Sequence, residues 1–399
     1  MSADLTQEII KKESQYVLQT YPRLPFVMEK GKGAYVYDLE GKEYLDFGSG
    51  IAVTALGHSN GMIINAVYEQ IKQLSHVSNL YHTEPHTELA EQICMNSFGD
   101  KVFYSNSGTE AVEASLKFAR KYSKTKFVEN KTKFVAFSNS FHGRTFGALS
   151  VTDRMKYQEP FKPLVPEVEV LPYNNIDALQ EGIDNQTCAV IVEVVQGEGG
   201  INLATKEFMK ELKTACQDNQ ALLIIDEIQT GFGRTGKLWA YQHYDIEPDM
   251  MSLAKAMGGG LPIGATVLSD EIAETISPGD HGSTFGGGPV AASCGLVVIE
   301  QINKPGFLKQ VNEISEYLVE KLKGINHKSI KEIRSMGLMI GVEINGDAGK
   351  LYAKAHEYGV LILTAGANVI RLLPPLIITK IDVDKFINAF SKMLKEIEV

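Results

Sequence analysis

The sequence predicts an α/β fold with a mostly parallel sheet and a second, smaller α+β unit, on three observations. Through the middle of the chain, mainly apolar runs of strand length alternate with amphipathic helical patterns. KVFYSN precedes TEAVEASLKFARKY, and KFVAFSNS, CAVIVEVVQ, the helical TKEFMKELKTACQDN, ALLIIDEIQ and MMSLAKAMGGG follow. A strand covered by helices on both faces reads as continuously apolar, so this rhythm marks a buried parallel sheet. Near the start, GAYVYDLEGKEYLDF alternates apolar and polar residues around a Glu-Gly turn and predicts a hairpin outside that sheet. After about residue 300 the pattern becomes a long amphipathic helix (VNEISEYLVEKLKGI), then IKEIRSMGLMIGVEI, a helix near KLYAKAHEYG, short strands and a final helix. The expected division is an N-terminal segment, residues 1–50, contributing to the small domain, a large domain over 51–300, and a C-terminal small domain over 301–399.

A length of 399 residues leaves room for two hydrophobic cores. The formal net charge of -10, with no clustered basic stretch, argues against a nucleic-acid binder, whose affinity needs positive surface. No apolar run is long enough to span a bilayer. Cys94, Cys188, Cys216 and Cys294 lie far apart with no CxxC or Cys/His spacing, so they read as idle thiols and no metal is expected. The polar, amphipathic start MSADLTQEIIKKESQ lacks an apolar signal core, and cytoplasmic residence is the expectation.

In open parallel sheets ligands gather at the carboxyl ends of the strands, so the residues after each apolar run carry the functional reading. The first run ends in Ser105-Asn106-Ser107-Gly108-Thr109-Glu110 and opens a helix. Free N–H groups there, with Ser and Thr hydroxyls, suit a phosphate, and the same residues equally suit an ordinary N-cap. After KFVAFSN come Phe141, His142, Gly143 and Arg144, where an aromatic face and a guanidinium fork suit a flat ring and a carboxylate, or form a plain loop. The apolar run CAVIV leads to Glu193, and Gln196-Gly197-Glu198-Gly199-Gly200 follows shortly after.

Asp226 ends the wholly apolar ALLIID, and a carboxylate there requires a partner. A pyridinium N–H would serve, and so would an arginine or backbone amides. MMSLAKAMGGG carries Lys255 out of an apolar run; a Schiff base with pyridoxal phosphate (PLP) removes the cost of burying its ammonium, and the alternative is a lysine reaching to the surface. A phosphate cradle, an aromatic, an Asp and a Lys arriving in order at successive strand ends make PLP the combined reading.

Together these motifs resemble the fold-type I, class III (omega) aminotransferases, and most closely their acetylornithine branch. The likeness runs from Leu45-Asp46-Phe47 and GIAVTALGH through SNSGTEAVEASLKFAR, FHGRT, QGEGG, DEIQTGFGRTG, AKAMGGGLPIGA and GSTFGG to VIRLLPPL, with DEIQTGFGRTG and AKAMGGG the most specific. It implies the PLP-dependent transferase fold of type I, with a mostly parallel sheet of seven-stranded type in the large, PLP-binding domain. Ser107, Gly108 and Thr109 would bind the cofactor phosphate, Phe141 would stack on its ring, Asp226 would pair with the ring nitrogen, Gln229 would approach its phenolic oxygen, and Lys255 would hold it covalently.

Ser283 and Thr284 would reach the phosphate of a neighbouring subunit, so the resemblance implies a homodimer with shared sites. Arg371 would bind the α-carboxylate and Arg144 the distal carboxylate of glutamate or 2-oxoglutarate. Glu198 would mask Arg371 when an omega-amine is present, and Glu193 would support the network near Asp226 and the substrate.

The implied reaction is transamination of N-acetylornithine with 2-oxoglutarate, N-succinyl-diaminopimelate being a second substrate. Ornithine and 4-aminobutyrate are the alternative amines; Ile51 stands where ornithine enzymes usually place a Tyr, whereas Tyr21 would contact an α-carboxylate as in those enzymes. An aminomutase of the glutamate semialdehyde type is a different class, disfavoured by the two arginines, and a nucleotide-binding module leaves Asp226 and Lys255 without a purpose. The sequence departs from the family at Ser59-Asn60-Gly61, where His-Pro is common, and at Val194, often a Pro.

Overall fold

A computed structural model describes residues 2–127 and 131–397. Seven strands form the central sheet in the order Lys101–Ser105, Gly264–Leu268, Met250–Leu253, Leu222–Asp226, Thr187–Val192, Lys133–Phe137, Val168–Leu171. All run the same way except Gly264–Leu268, which is antiparallel to both neighbours. Sequence analysis did not single out that strand or Val168–Leu171; each has a polar flank or a short span that mimics a loop. Along Leu222–Asp226 all five side chains are buried. Leu222 and Ile224 face the cluster containing Val112, Phe118 and Ala119 of the Gly108–Lys126 helix. Leu223 and Ile225 face the opposite cluster, with Phe208 and Leu212 of Lys206–Asp218. Cover on both faces is why residues 222–225 are apolar at every position, and it leaves only the strand end to approach a ligand.

The expected hairpin is present: Tyr35–Asp38 pairs antiparallel with Glu43–Asp46. It lies in a four-stranded sheet with Met28–Lys32 on one edge and Val360–Leu361, from the far end of the chain, parallel to Glu43–Asp46 on the other. A third sheet orders Ile330–Met336, Met339–Ile344, Val369–Leu372 and Leu363–Thr364. The helices Phe307–Lys323 and Lys380–Glu396 bury Leu318, Leu322, Phe386 and Phe390. The last helix starts with Thr379, whose hydroxyl accepts from Asp382 N while Asp382 accepts from Thr379 N, a reciprocal cap.

All four cysteines are free thiols, and no described helix is long and apolar enough to cross a membrane.

Phe47, just after the hairpin, stacks on Phe386 of the final helix with ring centroids 4.0 Å apart, and both rings are wholly buried. The pair joins the two chain ends, and the space left by losing one ring could not collapse among the surrounding side chains. Phe386→Ala is expected to destabilise the fold by about 3–5 kcal/mol, read as a lower denaturant midpoint; an unchanged midpoint would show that this junction bears no load.

Candidate active site

The carboxyl ends of the parallel strands surround a cavity of about 480 Å³ lined by Ser107, Gly108, Thr109, Phe141, Arg144, Glu193, Glu198, Asp226, Gln229 and Lys255. Ten residues named from the sequence therefore meet in one place, although they come from stretches scattered over nearly 150 positions.

At one end, the 19-residue helix Gly108–Lys126 starts at the cavity wall. Ser107 is its N-cap, its hydroxyl accepting from Glu110 N at 3.4 Å, so the N-cap and anion-site readings hold for the same residue. Gly108 is required, because a Cβ would sit 2.9 Å from Ile228. Thr109 Oγ1 accepts from Arg144 N and Thr145 N, both at 3.2 Å, tying the helix start to the loop after Lys133–Phe137. In that loop the Phe141 ring borders the cavity, and the Arg144 guanidinium lies 3.4 Å from the centroid of the Tyr157 ring, with no ion-pair partner among the described residues.

Asp226 ends its strand with a buried carboxylate. One oxygen accepts from Ile228 N at 3.0 Å and the other lies 2.7 Å from Nδ1 of the buried His142. Burial works to lower the His142 pKa, but the hydrogen bond and charge of Asp226, with Glu193 nearby, prevail and raise it. His142 Nε2 is buried without a partner. Sequence reasoning missed this residue; the only available cue was its place beside Phe141, because nothing local in a sequence pairs positions 142 and 226. Glu193 accepts from Phe141 N at 3.0 Å and Gly197 N at 3.2 Å, and burial pushes its carboxyl up to about 7. Glu227, also not singled out, is wholly buried and likewise pushed up to about 7 by burial; it accepts from Thr230 Oγ1 at 2.6 Å and Tyr241 N at 2.9 Å.

The strand that precedes Lys255 stops at Leu253. Lys255 itself opens a short 3₁₀ turn with φ of +46°, a left-handed conformation costing roughly 1–2 kcal/mol for a residue with a Cβ. Burial, then the positive charge of Arg371, lowers its amine to about 8, against the pull of Glu198, Asp226 and Glu193.

Arg371 stands on Val369–Leu372, 3% exposed, with Nη1 donating to Glu198 Oε1 at 2.7 Å, Gly197 O at 2.9 Å and Gln229 Oε1 at 3.4 Å. Its Nε has no partner. Gln229 thus contacts Arg371 as well as the cavity.

Arg371 does not itself line this cavity but bonds Glu198 and Gln229, which do; four other sequence-named residues lie apart from it. Tyr21 and Ile51 line a separate one of about 590 Å³, because the Gly50–Ala52 backbone is left-handed at each residue and turns Ile51 outward. Ser283 and Thr284 lie outside both cavities. Ser283 Oγ accepts from Asn106 Nδ2 at 3.2 Å and from Gly286 N at 3.0 Å, while Thr284 is exposed.

The donor set suits a phosphorylated, ring-bearing aldehyde: a helix start with hydroxyls at one end, a carboxylate paired with a histidine at another, an aromatic face, and an amine lowered toward neutrality. The protein-family model "Aminotransferase class-III" matches residues 16–394. The acetylornithine aminotransferase of Caldanaerobacter subterraneus subsp. tengcongensis is 46% identical over 98% of this chain and 100% of its own length. That of Clostridium acetobutylicum is 47% identical over 95% and 99%.

Among solved structures, the ornithine aminotransferase from Toxoplasma gondii, described with partial occupancy of PLP at its active site, superposes with a TM-score of 0.94 at 30% identity, covering 98% of this chain and 94% of that one. The acetylornithine aminotransferase from Elizabethkingia anophelis gives 0.88 at 32% identity, covering 98% and 99%. With the Lys255 and Asp226 cavity at the strand ends and a family match over almost its whole length, the chain belongs to the class-III aminotransferases.

Proposed function

We propose that this enzyme uses PLP to transfer the terminal amino group of N-acetylornithine to 2-oxoglutarate, yielding N-acetylglutamate 5-semialdehyde and glutamate. The observation that carries the reading is the single cavity shared by Lys255, Asp226 and the helix start at Ser107–Thr109. The amino donor is inferred from full-length relatives that carry the acetylornithine aminotransferase name.

PLP, when bound, supplies an electron sink for the negative charge left on a substrate carbon that loses its proton. Ser107, Gly108 and Thr109 hold its phosphate at the positive end of their helix, and Phe141 covers its ring. Asp226 would pair with the ring nitrogen, and His142 holds Asp226 in place through its Nδ1 contact. Lys255 Nζ would hold the cofactor covalently, and its free amine would take the substrate proton as a base and return it as an acid. A pKa of about 8 makes both roles accessible near neutral pH.

Arg144, stacked on Tyr157, grips the distal carboxylate of the acceptor, and Arg371 grips its α-carboxylate. Glu198 occupies Arg371 when the omega-amine donor is present, so one pocket serves two unlike substrates. Glu193 fixes Phe141 and the Gly197 turn through their N–H groups. Thr284, exposed beside the well-anchored Ser283, reaches the phosphate site of a second subunit, and exposed Leu80, Tyr81 and Phe285 supply apolar contact surface. The working form is a homodimer in the cytoplasm.

Lys255→Ala is expected to lower turnover by on the order of 10³-fold or more and to remove the visible absorbance of lysine-bound cofactor; retained steady-state turnover would sink the assignment. The rate at which apoenzyme takes up PLP should rise with pH and level off above about 8, as Lys255 loses its proton. Arg371→Met removes a positive charge that disfavours the ammonium, so the inflection should move upward; an inflection near the ordinary lysine value in the parent enzyme would contradict this. Specificity constants measured side by side should favour N-acetylornithine over ornithine, 4-aminobutyrate and N-succinyl-diaminopimelate, and a clear preference for ornithine would reassign the donor.

A further inference from the structure

Arg234 is 2% exposed and forms no ion pair among the described residues. Its Nη1 donates to Leu338 O at 3.0 Å and Pro374 O at 2.6 Å, while Nη2 is buried with no partner. Burial alone draws its pKa down to about 9, which leaves the guanidinium charged at neutral pH. Enclosing an uncompensated cation costs several kcal/mol, more than two carbonyl hydrogen bonds repay, so stability is a poor explanation for it.

The two carbonyls have something in common. Pro374 lies three residues beyond Arg371 on the same run of chain. Leu338 immediately precedes Met339–Ile344, the strand in which Gly341 pairs with Arg371 and Ile340 with Leu372. Arg234 therefore grips both the strand that carries Arg371 and the strand beside it. The backbone makes the same junction: Leu338 N donates to Arg234 O at 2.9 Å, and Gly337, at φ of +55°, approaches so closely that a Cβ would lie 2.4 Å from the carbonyl carbon of Thr235.

Arg234 belongs to the loop that begins at Asp226, and this loop is stiff. Gly231 N donates to Glu227 O, Thr230 Oγ1 donates to the buried Glu227 carboxyl, and Phe232 is held at φ of +54° with its ring edge-on to Trp239. Gln229, near the start of the loop, touches Arg371 Nη1 directly. The far end is tied down where Asn312 Nδ2 donates to Gly236 O at 3.0 Å.

The geometry points to Arg234 as a positioning residue that sets where Arg371 stands relative to Asp226, and so sets the fit of the acceptor dicarboxylate between its carboxylate fork and the cofactor ring. This rests on Arg371 being the α-carboxylate binder. The donor amine is bound while Glu198 occupies Arg371, so the role is specific to the acceptor.

The test compares Arg234→Lys, Arg234→Met and Asn312→Ala with the parent holoenzyme, using steady-state constants for both substrates and calorimetric binding of glutarate, a dicarboxylate that cannot react. Lysine reaches one carbonyl only, methionine neither, and Asn312→Ala alters an exposed side chain that leaves the core intact. In the two Arg234 variants, KM for 2-oxoglutarate and the glutarate Kd should rise roughly tenfold, with kcat and the donor KM changed by less than about threefold. Asn312→Ala should shift the same two constants the same way, by about twofold. Donor and acceptor constants moving together, or neither moving in the variants that fold, would overturn the inference. Arg371→Ala, measured alongside, separates the two readings. If it weakens glutarate while the Arg234 and Asn312 variants do not, only the role of Arg234 falls. If it leaves glutarate binding unchanged, the carboxylate role of Arg371 falls and this inference with it.

Discussion

Asp226 ends a strand whose other residues are all apolar and buried, and its carboxylate is held 2.7 Å from the His142 imidazole. Most of the site depends on that buried pair. A carboxylate enclosed by a parallel sheet would take up a proton unless something nearby favoured its charged form. His142, raised in pKa by the same contact, holds one carboxylate oxygen of Asp226, which also lines the cavity. Glu193, just past the end of the adjacent strand Thr187–Val192, accepts hydrogen bonds only from the backbone N–H groups of Phe141 and Gly197. Its charged form is favoured by the nearby His142 charge and by those two N–H groups, but burial prevails.

The second organising charge is that of Arg371. It lowers the Lys255 amine, it is occupied by Glu198, and it is buried deeply enough that both effects operate through little water. The Glu198 side chain is 29% exposed against 3% for Arg371, so the acid is the more mobile half of the pair. In the proposed reaction a ligand carboxylate would compete for a cation already in position, and the acid could turn to solvent when displaced. Release of Arg371 would then cost little desolvation, because the incoming carboxylate would restore what Glu198 removes.

The Asp226–Gly236 loop connects the two centres. It carries Asp226 at its start, Gln229 against Arg371 in its first turn, and Arg234 against Pro374 toward its end. Its stiffness comes from the buried Glu227 and from left-handed residues at Phe232 and Gly233, which fix a path that side-chain packing alone would not. The strain at Lys255 belongs to the same economy of structure. A left-handed lysine leaves the strand direction abruptly, and the following glycines let the chain turn away beneath the cavity.

Most of the sheet was legible in the sequence because burial on both faces imposes an unbroken apolar run, and the residues after each run had to sit on one edge. Ser107, Phe141, Glu193, Asp226 and Lys255 were found by that rule alone. The antiparallel Gly264–Leu268 strand was not, since direction within a sheet leaves no mark on composition. His142 and Arg234 were missed for a related reason: a histidine in a loop and an arginine in a glycine-rich turn look ordinary until a partner more than 80 residues away comes within hydrogen-bond distance. The separation of Tyr21 and Ile51 into a second cavity was equally hidden, because it follows from backbone angles at Gly50–Ala52. The order of chemical groups along the chain was therefore determined locally, by strand burial and helix capping. Which of those groups share a proton, a charge or a carbonyl was decided by tertiary packing, because such pairings depend on distances across the sheet that no local pattern encodes.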